Sequence, residues 1–308
     1  MIQNSGAISQ QFLTNLQFLQ QQMAATQQQI SSGTKISQAS DAPNSVGDVL
    51  QLESDLGRVN QVTSNLNLVS GEVNSAESAL ESATTLLDQV SILAAQGVGT
   101  TVSAASRTTF SQQVGQILTA LVASSQTQFN GAYVFGGDQA WSQSYQVDFV
   151  NPNGVDRLVT TQSTRLIQDA SGITFAVSKT AQDIFDHRNP DDSLASDNIF
   201  AAVNSLRVAL ANNDTSGITA AIASIKTAQD YLSQQLAFYG GVQNQISSAL
   251  DVAQKFQLQD QTALSSEKDT DVAAASVAMS QQQASYQAAI QAESAMPRTS
   301  LFSYLSGN

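Results

Sequence analysis

Cysteine is absent from the 308-residue sequence, which excludes disulfides, thiolate metal sites and cysteine nucleophiles together. Histidine occurs once, at His187, so neither a multi-histidine zinc site nor imidazole acid–base chemistry has a basis. Charge is scarce. Only 12% of residues are charged, and the balance of 12 Lys+Arg against 25 Asp+Glu leaves a net −13. A chain of that sign lacks the basic patch that nucleic acid or anionic lipid requires. No run approaches the ~20 apolar residues of a membrane span. Positions 1–6 carry neither the basic start nor the apolar run of a secretory signal, so the chain is expected to stay in the cytoplasm or to leave the cell without a cleavable one. These absences point away from an enzyme and from any metal or cofactor.

What fills the space is Gln, Ser, Thr, Asn and Ala on a periodic apolar frame. Phe12, Leu16, Leu19, Met23 and Ile30, with Thr26 in the remaining slot, alternate by four and three as the seam of a coiled coil does. The pattern stops at Ser31-Ser32-Gly33-Thr34, and Asp41-Ala42-Pro43 reads as the next helix start. A second seam runs from Leu52 and Leu56 through Val59, Val62, Leu66, Val69, Val73, Ala76, Leu80, Ala83, Leu87 and Val90 to Ala94, predicting a rod roughly 75 Å long that ends at Gly97-Val98-Gly99. A shorter helix follows, with Phe110, Val114, Ile117 and Leu121 on one face.

The middle of the chain changes character. Tyr133-Val134-Phe135, residues 145–150, 158–161 and 173–177 are short β-branched and aromatic runs separated by turn residues such as Asn151-Pro152-Asn153-Gly154. They predict a small antiparallel β insert that contains Trp141. Helical spacing then returns at Ile199, Val203, Leu206 and Leu210. It continues from Ile218 to Ala253, with a possible bend at Gly240-Gly241, and in a last helix through Val272, Ala275, Met279, Tyr286 and Ile290. The expected fold is mainly α: antiparallel coiled-coil rods built from both chain ends, with the β insert between them. The expected divisions are terminal segments 1–40 and 270–308, a rod domain of 41–131 and 191–269, and the insert at 132–190.

The terminal segments are poorly equipped to fold alone. Positions 1–34 contain no charged residue, and glutamine clusters crowd the faces off the seam. A narrow seam on such a helix buries too little to offset ordering costs of ~1–2 kcal/mol per residue. These ends are therefore expected to be disordered in the monomer and to become helical only against neighbouring copies. The residues expected to form that assembly interface are Phe12, Leu16, Leu19, Met23, Ile30, Val272, Met279, Tyr286, Ile290, Leu301, Phe302 and Leu305. Contacts of this kind are hydrophobic and resist salt.

The corner Ser32-Gly33-Thr34-Lys35-Ile36 with Ser40-Asp41-Ala42-Pro43 resembles the "SGxxI…SDDP" passage of the flagellin superfamily, with Ala42 where that family has a second acidic residue. Glu267-Lys268-Asp269-Thr270-Asp271 is similar to its "D-x-D" segment, and Leu301-Phe302-Ser303-Tyr304-Leu305 to its apolar end. Within the superfamily, residues 130–138, with Tyr133, Phe135 and Gly136-Gly137, resemble the branch at the hook–filament junction more than the branch that forms the filament. The resemblance implies a structural subunit of the bacterial flagellum that joins hook and filament. It also implies self-association, contact with neighbouring axial proteins, an export chaperone and extracellular placement by type III export. No cofactor, nucleic acid or membrane belongs to that picture.

Other readings stay open at this stage. A short filament subunit and an insert that binds a ligand through Trp141 and Tyr145 are two; a cytoplasmic coiled-coil scaffold is a third. If the terminal helices carry assembly, the insert is expected to be dispensable for it. His187 reads as an exposed loop residue, Asp269/Asp271 and Glu77/Glu81 as solvated carboxylates, and Asn213-Asp214-Thr215 as a turn rather than a glycosylation site.

Overall fold

The computed structural model describes residues 3–38, 40–163 and 165–295. Its helices are α1 (Gln3–Ser32), α2 (Val46–Gly97), α3 (Ala104–Ser125), α4 (Ala181–Ile184), α5 (Ile199–Ala211), α6 (Thr215–Lys268) and α7 (Val272–Ala295). Between α3 and α4 lie β1 (Gln128–Phe129), β2 (Ala132–Tyr133), β3 (Tyr145–Val147), β4 (Val155–Arg157), β5 (Leu166–Gln168) and β6 (Thr174–Ala176). The chain divides into two compact units, Met1–Gly57 with Leu258–Asn308, and Arg58–Gln257.

In the larger unit the α2 seam is buried as its spacing demands: Val59, Leu66, Val69, Val73, Ala76, Leu80, Ala83, Leu87, Val90 and Ala94. The buried residues of α6 include Ile218, Ile225, Leu232, Tyr239, Ile246 and Ala253, each seven after the last. The two helices run antiparallel, and amide side chains record their register. Gln257 donates to Asn60 (3.0 Å), Gln243 to Asn74 (2.7 Å) and Gln229 to Asp88 (2.9 Å). From one rung to the next, α2 advances fourteen residues while α6 retreats fourteen, which is two heptads on each helix. Gly240-Gly241 lies inside an unbroken α6.

The three hairpins β1–β2, β3–β4 and β5–β6 are separate two-stranded antiparallel sheets rather than one sheet. The fourth strand falls at Val155–Arg157, ahead of the expected 158–161. The physical reason is where their apolar residues go. The strands are only two or three residues long, and Tyr145 and Val155 together with the flanking Val134, Phe135, Val177, Ile184 and Phe185 are buried in the same core as the helices, so each hairpin packs on the helices rather than on another hairpin. Phe135 meets Phe185 and Tyr239 edge-on at 5.8 and 6.1 Å, and Phe185 stacks on Phe200 at 5.8 Å.

Two polar centres hold this unit. The Arg107 side chain, buried on α3, donates to the carbonyls of Gly97 and Gly99 (2.8 Å each) and to Asn213 Oδ1 (2.6 Å). It thus places a cation at the carbonyl end of α2, where the helix dipole is negative, and secures the α5–α6 turn. Asp186, fully buried, accepts at Oδ1 from Asn153 (3.0 Å) and Asn198 (2.8 Å), and at Oδ2 from Tyr145 (3.3 Å) and Arg188 (2.9 Å). Gly154, beside Asn153, sits at φ +76°, and an added Cβ would come within 2.6 Å of Leu118.

Candidate assembly interface

The smaller unit is built on α1 and α7, which within a single chain are helical rather than disordered, because each covers the other's seam, and which pack antiparallel. Gln20 donates to the Tyr286 hydroxyl at 2.9 Å, and at the other end of α1 the backbone itself pairs. Gly33, at φ +72°, ends α1 with its amide donating to Gln29 O, the left-handed stop that glycine adopts without strain. Thr34 then forms an antiparallel bridge with Asp269; Lys35 N donates to Lys268 O (2.7 Å) and Thr270 N to Gly33 O (2.9 Å). The Lys35 ammonium reaches Ser266 O at 2.7 Å, and Lys268 pairs with Glu53 at 2.9 Å. The two sequence motifs that carry the family resemblance are thus each other's partners.

Asp41 serves a different purpose from the one its sequence position suggests. Its Oδ2 turns back to accept from the amides of Gln38 (2.8 Å) and Ser37 (2.9 Å) and from the Ser37 hydroxyl (3.0 Å), and α2 starts only at Val46. The backbone donors, Gln38 first, hold its carboxyl below the ordinary value. Asp271 is the N-cap of α7, accepting from Ala274 N at 3.0 Å.

The expected interface residues separate into groups. Phe12, Leu16, Leu19, Met23 and Ile30 of α1 and Met279 and Tyr286 of α7 are half-buried along the α1–α7 seam. Thr26 and Ala275 are the buried members of these rows, and Thr26 satisfies its hydroxyl on Gln22 O. Val272 and Ile290 are 47% and 45% exposed. Leu301, Phe302 and Leu305 lie outside the described residues. Three large apolar side chains that the seam pattern passes over are more exposed still: Leu13 (58%), Phe18 (58%) and Val277 (59%). Their signal in the sequence is an apolar residue off the seam on a helix with almost no charge; α1 carries none and α7 only Glu293.

The structure does not bring Trp141 and Tyr145 onto one exposed surface. Trp141 is 77% exposed, whereas Tyr145 is buried with its hydroxyl on Asp186. His187 lies in a loop with its side chain 39% exposed, and it is engaged there: it pairs with Asp197 at 2.6 Å and stacks on Tyr231 at 4.8 Å. Asn213 of the sequon-like turn has its side-chain oxygen engaged by Arg107. Among the described residues no group of three or more His, Asp or Glu could hold a metal ion, and no helix is long and apolar enough to cross a membrane.

Residues 4–140 match the family model for the bacterial flagellin N-terminal helical region. The fold as a whole is similar to that of flagellar hook-associated proteins. A Vibrio parahaemolyticus structure described as a flagellar hook-associated protein superposes with a TM-score of 0.64 at 16% identity, covering 74% of this chain and 100% of that one. Flagellar hook-associated protein 3 of Legionella pneumophila gives 0.61 at 12% identity, over 71% and 98%. FlgL of Xanthomonas campestris gives 0.59 at 13% identity, over 70% and 99%. No curated protein matches the chain in sequence. The chain therefore resembles the flagellin superfamily, and its fold is like that of hook-associated protein 3.

Proposed function

We propose that this protein is a non-enzymatic structural subunit of the bacterial flagellum that joins hook to filament. The observation that carries the reading is the pair α1 and α7. Two nearly uncharged helices cover each other along one narrow seam and leave Leu13, Phe18, Val277 and Ile290 exposed. Apolar groups on surfaces without charge are stabilised by further burial, at ~25 cal/mol per Å². In this reading residues 1–40 and 270–308 form the inner layer of a tubular assembly, 41–131 with 191–269 the next layer, and 132–190 the outermost part. Neighbouring copies, and the axial proteins above and below, cover the twelve interface residues, Leu301, Phe302 and Leu305 included. A surface that joins head to tail around an axis makes heterologous contacts, which build rings or helical arrays. The protein would reach the cell exterior through the flagellar type III apparatus, escorted by an export chaperone.

Labelled antibody on intact cells tests the placement. Signal confined to one spot at the filament base supports the junction; signal along the whole filament assigns the protein to the filament. Deletion of 1–35 is expected to abolish incorporation, and incorporation by that variant would overturn the assembly role of the terminal helix.

A further inference from the structure

The four methionines are Met1, Met23, Met279 and Met296. None stands between Met23 and Met279, so the long helices and hairpins of the larger unit contain no sulfur. Met23 and Met279 both lie on the α1–α7 seam, and both are half-buried, within reach of a small solute. We propose that these two thioethers are a modification site, at which peroxide oxidation loosens the α1–α7 pair and with it the assembly surface. The inference rests on the functional reading above for its consequence, but not for its chemistry.

The reaction is a two-electron oxygen transfer. A lone pair on Sδ attacks one peroxide oxygen, the O–O bond breaks, the sulfoxide S–O bond forms, and the other oxygen leaves as water after proton transfer. Sulfur is oxidised and peroxide reduced. The product is a polar acceptor in place of a flexible apolar group, and the seam is badly placed to receive it. Phe12, Leu16, Leu19 and Ile30 have no polar side-chain atom, and the Thr26 hydroxyl already donates to Gln22 O. The register set by Gln20–Tyr286 and Thr34–Asp269 brings Met23 to about the level of Gln282, whose buried Oε1 is itself an acceptor without a partner. A further acceptor there raises the cost of keeping the seam closed.

The test uses the full chain with hydrogen peroxide, with sulfoxide located by peptide mass. The expected result is that oxidation at Met23 and Met279 raises protease cleavage within 10–34 and 272–294 severalfold and lowers the pelleted assembly. Methionine sulfoxide reductase should restore both. The double variant Met23→Leu/Met279→Leu, which keeps Met1 and Met296, should show no peroxide-dependent change in either readout relative to its own untreated level. Unchanged protease protection in wild-type protein oxidised at both positions overturns the proposal, as does equal sensitivity of the double variant. If untreated protein never pellets, the functional reading fails while the protease readout still decides this inference.

Discussion

Single residues in this protein do most when they are polar and buried. Asp186 joins a strand, a turn and the N-cap of α5 through four donors. Asp186→Ala removes the buried acceptor that these four donors share, leaving Arg188 only its pairing with Asp192 and Asn198 only the His187 carbonyl, and is expected to cost about 3 kcal/mol in urea unfolding. Tyr145 remains a donor to it at any ordinary pH, because burial first and the Asp186 charge second push the phenol well up. Arg107→Ala removes three hydrogen bonds made by a charged group and should cost about 2–4 kcal/mol by the same measurement. Lysine should rescue little of it, since one ammonium cannot span two carbonyls and Asn213 in the fork geometry of a guanidinium. Neither residue announces itself in the sequence. Arg107 lies in an ordinary amphipathic helix and Asp186 beside an apparently exposed His187, and their roles arise from groups more than a hundred or tens of positions away.

At the scale of elements, the corner at 33–41 has a pH dependence whose sign follows from Asp41. Its folded pKa lies below the ordinary 3.8. The stabilisation is therefore complete above that value and is lost as pH falls through the lower, folded one. The protection of the Ser37 and Gln38 amides, relative to their intrinsic exchange rates, is expected to fall at acid pH in the wild type and to be lost already at neutral pH in Asp41→Ala. The α2–α6 ladder makes a second prediction. A double-mutant cycle on Asn74→Ala and Gln243→Ala should give a coupling of about 0.5 kcal/mol, the scale of an exposed neutral hydrogen bond, and it should change little with salt. Helices were the legible part of the sequence. Heptad spacing from Leu66 to Ala94 and from Ile218 to Ala253 reports a buried stripe directly, because burial repeats with the helix. The hairpins were legible only as a region. Turn residues mark where the chain reverses, but strands of two or three residues carry too few alternations to reveal their pairing, and the start of α2 was obscured by an aspartate that caps the loop before it. The seam between α1 and α7 was readable at Phe12, Leu16 and Met279, whereas Leu13, Phe18 and Val277 fall off the heptad and become visible only once their exposure is known.

For the whole molecule, the β region and the helical core of the larger unit share one interior. Deleting 138–190 would remove Tyr145, Val155, Val177, Ile184 and Phe185 from that core. The expected outcome is a protein that loses cooperative thermal unfolding by calorimetry, so the insert is not dispensable in the simple way its position in the sequence suggests. Closure of the smaller unit has a consequence for timing. The strap between residues 33–35 and 266–270 joins positions at least 231 apart, and Gln20 meets Tyr286 across 266. During synthesis, and again if the chain is ever threaded out in order, α1 has no companion from its own molecule until α7, with Tyr286 lying 266 positions after Gln20, arrives. Contacts this distant close late. For that interval the leading helix is unclaimed, and whatever waits at the point of emergence has the first opportunity to bind it.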